Sequence, residues 1–125
     1  MVGLRGQGRR AVDEGASQIH IHARTPDGVP SYEIEDFRAI TEAILAEVDV
    51  IITYSTGAIR VPMAQRLAYL RELKPDVAAL NMSSMNYAKY SRRRKDFVFK
   101  AVFENSFDTI IEFLTEMREL GIKPE

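Results

Sequence analysis

Two histidines, the only two in this 125-residue chain, stand one residue apart as His20 and His22 in the stretch QIHIHAR. Strand side chains alternate between faces, so the two imidazoles share one face about 7 Å apart while Ile19 and Ile21 point to the other. Two imidazoles so spaced can both reach a divalent metal such as zinc at about 2.0 Å. A hydrogen-bonded interior pair with no metal is the other reading the spacing leaves. Catalytic zinc takes three protein ligands and keeps one position open. With no cysteine and no further histidine, the third ligand has to be a carboxylate. Glu104, at the end of a later apolar run, is the one placed for it, so the site reads as incomplete. Arg24 follows the pair directly, either supporting the ligands from behind or pairing with a surface acid.

Two more polar groups end apolar runs. In Tyr54-Ser55-Thr56-Gly57-Ala58, two hydroxyls and a glycine lie where a helix can begin, suited to hold a carboxylate or phosphate, or else to form a plain capping turn. Asn81, with Ser83, Ser84 and Asn86, offers amide and hydroxyl donors that orient a polar ligand or satisfy the loop's own backbone. Three successive runs thus turn polar at their last residues. Parallel α/β folds behave this way, because their βα loops all leave the carboxyl edge of the sheet.

The elements between these groups follow from period. Strands are expected at residues 18–24, 48–57, 77–83 and 97–103, and helices at 33–47, 63–73 and 107–120, after a first helix closed by Gly15. Ile34, Phe37, Ile40, Ala43 and Ile44 form the buried stripe of one helix, and Leu67, Leu70 and Leu73 that of the next. The 48–57 run is apolar throughout, as in a parallel strand covered on both sides. Asn105 or Ser106 caps the last helix, and Gly121 stops it. The fold class is α/β with parallel βα repeats.

Seventeen basic and eighteen acidic side chains give a net charge of −1, which leaves no electrostatic footprint for nucleic acid. The one charge run, Arg92-Arg93-Arg94-Lys95, reads as a solvated loop. Without cysteine there is no disulfide framework or thiolate site. No apolar run approaches the roughly 18–20 residues of a membrane span, and the start MVGLRGQGRR lacks the apolar core of a signal peptide, so a cytoplasmic protein is expected.

Beyond these residues, the chain resembles the β-keto acid cleavage enzyme family, which includes the 3-keto-5-aminohexanoate cleavage enzyme of lysine fermentation. The resemblance rests on EGASQIHIHAR, DGVPS, VIITYSTGA, RLAYLRELKPDVAALNMSSMNY and VFENSFDTIIEFLTEMRELGIKPE, in order and in register. It implies a TIM barrel binding zinc, or another divalent metal, that condenses a small β-keto acid with the co-substrate acetyl-CoA to give acetoacetate and a CoA thioester. It places His20 and His22 as metal ligands and Ser55 against substrate, with Thr56 and Gly57 beside it. A family glycine that touches substrate falls on Ala58, and a family hydroxyl residue falls near Ala79, where Asn81 is the nearest polar group. The catalytic base, the third metal ligand and a neighbouring Arg and Asp belong to family segments outside this chain. Residues 1–125 are therefore expected to be one partial (β/α)8 domain of three to four βα units. Such a barrel typically needs ~250 residues. The expected whole is a homo-oligomer and the chain alone inactive; a non-catalytic module binding a small acid or a partner chain is the alternative.

Overall fold

A computed structural model describes residues 6–125. Helix α1 (Gln7–Asp13) leads into strand β1 (Gln18–Ile21), helix α2 (Ile34–Leu45), strand β2 (Ile51–Tyr54), helix α3 (Met63–Leu73) and strand β3 (Val77–Ala78). Strands β4 (Met85–Ser91) and β5 (Asp96–Phe103), helix α4 (Phe107–Leu120) and strand β6 (Lys123–Pro124) complete it. β1, β2, β3 and β6 form one parallel sheet in that order. β4 and β5 pair with each other as an antiparallel hairpin outside it.

The helices α2, α3 and α4 all cover one face of this sheet. Their Phe37, Ile40, Leu67, Leu70, Phe113 and Met117 form a single core with Ile21, Ile52, Tyr54 and Ala78 from the strands. At its centre the Phe37 ring stacks on Tyr69, with centroids 4.1 Å apart and planes 9° from parallel, and Tyr54 tilts against Phe37 at 4.9 Å. The phenol of Tyr54 is satisfied by the Thr41 hydroxyl at 2.6 Å. α1 lies close against the same layer, because a side-chain carbon on Gly8 would meet Ile44 at 3.2 Å.

Several expected boundaries are reproduced. α3 and α4 span the residues that the periodicity marked, Ser106 accepts a hydrogen bond from the Thr109 amide at 3.2 Å as the N-cap, and Gly121 closes α4 at φ 73°.

Three expectations are corrected. The run 97–103 is not a strand of the parallel sheet: it pairs with Met85–Ser91, and the fourth parallel strand is Lys123–Pro124. Strand periodicity at 97–103 was real, but periodicity does not say which partner supplies the hydrogen bonds. The polar stretch before it is likewise half strand, and Arg92 to Lys95 make the exposed hairpin turn. Nor is β2 sandwiched between two layers, since Ile51 on its other face is 44% exposed. The run reads as two-sided because β2 is central: Thr53, in register between His20 and Val77 of the flanking strands, is fully buried.

No helix among the described residues is long and apolar enough to cross a membrane. Truncating the central ring by Phe37→Ala is expected to cost about 3–5 kcal/mol, read as a lower urea midpoint at unchanged m-value.

Candidate functional site

Parallel register decides what meets on the bare face of the sheet. His20 lies opposite Thr53 and Ile21 opposite Tyr54, so with each strand's alternation Gln18, His20, Ile51 and Thr53 share the face away from the helices. Gln18 reaches across this face to the Glu125 carboxylate, donating at 2.7 Å. Just past the strand ends, the chain carries His22 and Ser55.

The imidazoles of His20 and His22 lie side by side, with centroids 4.8 Å apart and planes inclined by 39°. Partial loss of solvent lowers the His22 pKa, and the neighbouring His20 and Arg24 lower it further. The neutral ring, with a free lone pair, is the form that binds metal. Arg24 joins none of the ion pairs among the described residues. Its guanidinium donates to the Gly28 carbonyl at 2.7 Å, tightening the turn in which Ser31 donates its amide to the Ala23 carbonyl at 2.9 Å.

A cavity of about 680 Å³ brings His20 and His22 together with Ser55, Gly57, Ala58 and Asn81. Its remaining walls include Tyr32 and, from the hairpin, Met85, Tyr87 and Phe103. Gly57 is there because space is short: a Cβ would meet the Phe103 ring at 3.1 Å and the Asn81 amide at 3.6 Å. A second cavity, of about 620 Å³, reaches the same histidines along the free edge of β1, between α1 and α2.

Ser55 is held by its backbone. Its amide donates to the Ile21 carbonyl at 3.1 Å, and its carbonyl accepts from the Tyr69 hydroxyl at 2.9 Å. Burial pushes the Tyr69 phenol well above its ordinary pKa, so it stays a donor at any physiological pH. With both backbone groups committed, the Ser55 side chain faces the cavity edge at 8% exposure. One residue on, the outcome differs from expectation. Thr56 turns inward, is 1% exposed, and gives its hydroxyl to the Ala79 carbonyl at 2.6 Å. It braces the β2 end against the β3 end and does not line the cavity.

Glu104 is also displaced from its expected place. It borders a separate cavity with Arg60 and Arg66, and no cluster of three or more His, Cys, Asp or Glu side chains occurs among the described residues. The histidine pair therefore fits two of the three protein ligands a catalytic zinc needs, and the described residues hold no third. Asn105, expected only as a possible helix cap, instead donates its side-chain amide to the Ser83 carbonyl at 3.1 Å, while its backbone amide binds the Ser84 hydroxyl at 2.8 Å. Ser83, Ser84 and Asn86 are exposed, outside the cavity wall that Asn81 joins. Sequence reasoning missed Tyr32, Tyr69, Tyr87 and Phe103. Tyr69 lies on a core-facing helix stripe that gives no hint of its tether, and the hairpin residues lie in the segment misassigned above.

Comparison with known proteins gives one family and several relatives. The family model described as beta-keto acid cleavage enzyme matches residues 4–125. The chain is 37% identical to the 3-keto-5-aminohexanoate cleavage enzyme of Fusobacterium nucleatum, covering 92% of this chain and 39% of that protein. It is 35% identical to the enzyme of the same name from Acetoanaerobium sticklandii, covering 95% and 40%. A 3,5-dioxohexanoate:acetyl-CoA acetone transferase of Paraburkholderia graminis is 34% identical, covering 92% and 42%. The chain thus spans about two fifths of the length of these curated relatives.

Removing the tether by Tyr69→Phe leaves a buried carbonyl without its donor and is expected to cost about 1–2 kcal/mol. Thermal melting reads the cost, and an unchanged melting temperature would show that Ser55 is placed without Tyr69.

Proposed function

Since the chain belongs to the beta-keto acid cleavage enzyme family, we propose that it is part of a zinc-dependent enzyme condensing a β-keto acid with acetyl-CoA. The products are acetoacetate and a CoA thioester, and the substrate class is that of the 3-keto-5-aminohexanoate cleavage enzymes it is similar to. The observation carrying this reading is the shared cavity, which sets two neighbouring imidazoles against a hydroxyl and an amide donor.

Within that cavity His20 and His22 supply two metal ligands. A zinc held by them would supply Lewis acidity toward a keto oxygen. Ser55 donates its hydroxyl to the substrate carboxylate, and the Asn81 amide orients the chain of the acid. Gly57 keeps the wall low enough for a ligand to lie against Asn81, and Ala58 adds only a methyl group beyond the family glycine. Thr56, although adjacent, holds the strand ends in register. The base and the third zinc ligand are assigned to no residue of this chain.

The architecture supports the same reading. Four parallel strands in sequential order, with helices on one face only, are compatible with an arc of a (β/α)8 barrel, in which the active site sits at the carboxyl ends of the strands. An open doubly wound sheet would have helices on both faces. In the whole barrel the catalytic constellation draws on further strands, and the assembled enzyme is a homo-oligomer in the cytoplasm.

The test is acetoacetate release from acetyl-CoA with a panel of β-keto acids, in the protein that carries this chain at its full length. Replacing His20 or His22 by Ala is expected to abolish stoichiometric zinc after dialysis, measured by elemental analysis, and to lower kcat/KM by at least about 100-fold. Ser55→Ala is expected to raise KM by roughly 10-fold, the worth of a hydrogen bond to a charged group. Zinc retention in both histidine variants would sink the ligand assignment. No acetoacetate from any acid would move the chain to a non-catalytic module that binds a small acid.

A further inference from the structure

Behind the segment Ala58-Ile59 lies a further, smaller cavity of about 330 Å³, bordered also by Arg60, Met63, Arg66 and Glu104. Arg66 is 6% exposed. Its Nε donates to the Thr56 carbonyl at 2.8 Å, and its guanidinium carbon lies 4.7 Å from the centroid of the Phe113 ring. The two terminal nitrogens have no such partner among the described residues. The four ion pairs among those residues join Arg9 to Asp13, Arg38 to Glu35 and Glu72, and Arg71 to Glu116, and none includes Arg66 or Arg60. The terminal nitrogens are not fully buried, so they are open to a ligand on the cavity side, and a guanidinium this little exposed with no carboxylate beside it normally pairs or binds an anion.

An independent feature opens on the same space. α3 is an 11-residue helix whose N-cap, Pro62, makes no side-chain cap hydrogen bond, and its first residue, Met63, lines the cavity. In its first turn the Gln65 amide donates to the Pro62 carbonyl at 3.1 Å, while the amides of Met63 and Ala64 have no backbone partner among the described residues and carry the positive end of the helix dipole. Arg60, just before it, is exposed and held in the left-handed region at φ 59°, where a side chain other than glycine is uncommon. Glu104 is exposed across the cavity and pairs with neither arginine. Two guanidinium groups, one carboxylate and an uncapped helix start leave a local positive excess.

We propose that this cavity is a phosphoryl-anion subsite, with Arg66 and Arg60 as its cationic walls, that takes a phosphate group of a coenzyme A thioester. Ala58 and Ile59 line both cavities, so a ligand with its acyl end beside His20 and His22 reaches Arg66 by passing over these two residues. The anion site stands on the arginines alone. Naming its ligand as coenzyme A rests on the acetyl-CoA reading of the larger cavity.

Titration calorimetry of the chain with coenzyme A, pantetheine and inorganic pyrophosphate tests the proposal in two variants at exposed positions, Arg60→Gln and Glu104→Gln. Matching melting curves verify that both still fold. Coenzyme A and pyrophosphate are expected to bind roughly 5- to 10-fold more weakly to R60Q, which loses a charge-assisted hydrogen bond to the anion, and about 2- to 3-fold more tightly to E104Q, which loses a repulsive charge. Pantetheine, which has no phosphate, is expected to be indifferent to both. Coenzyme A and pyrophosphate affinities that move in neither variant overturn the subsite. Pyrophosphate binding that responds as expected, with no binding of coenzyme A or pantetheine, overturns the acetyl-CoA reading instead and leaves a site for free phosphate.

Discussion

The stacked rings of Phe37 and Tyr69 join the two helices that cover β1 and β2, and the Tyr69 phenol continues from that stack to the Ser55 carbonyl. Apolar packing fixes the position of the ring to a fraction of an ångström, because interiors are as dense as organic crystals. A hydroxyl on such a ring is a fixed donor, and the backbone that accepts it is fixed in turn. The position of Ser55 at the cavity wall is therefore set from the far side of the sheet. Thr56 uses the same logic sideways, tying the end of β2 to the Ala79 carbonyl.

A second constraint is the one-sided cover. With all three large helices on one face, the apolar demand of the sheet is met there, and the other face is free to carry histidine, threonine and glutamine. Parallel pairing then brings the strand ends to a common edge without any side chain specifying it. The hairpin finishes the arrangement by bringing Met85, Tyr87 and Phe103 over the opening, so that a polar floor meets an aromatic wall. Polar groups in such a setting discriminate more strongly between partners than they would in open water.

Much of this was legible in residues whose signals are local. The α3 and α4 boundaries, the Ser106 cap and the left-handed Gly121 are read from a few neighbouring positions, as is the shared face of His20 and His22. What escaped depends on distant partners. The run 97–103 has the pattern of a strand, yet only its pairing with Met85–Ser91 separates a hairpin strand from a strand of the parallel sheet. Ser55 and Thr56 are both hydroxyl residues in one short motif, and their fates diverge because alternation gives one to the cavity and the other to the Ala79 carbonyl. Glu104 matched a need for a carboxylate by its place in the sequence, and lies by a different cavity. Arg66, next to the leucine stripe of α3, carries no local sign of its burial, which comes from Phe113 on another helix and from the turn after β2.

The hairpin also shapes how the molecule moves in a field. Between Met85 and Phe103 it holds six of the chain's seventeen basic side chains and one of its eighteen acidic ones, a net of +5 against −6 for everything else. The formal charge is therefore unevenly divided along a nearly neutral chain, with its positive excess gathered at the Arg92 to Lys95 turn. A small anion diffusing close to that turn is drawn toward it before any contact forms. Arrival at the hairpin end becomes faster than chance, and the advantage fades as salt shortens the reach of the field to about 8 Å at physiological ionic strength.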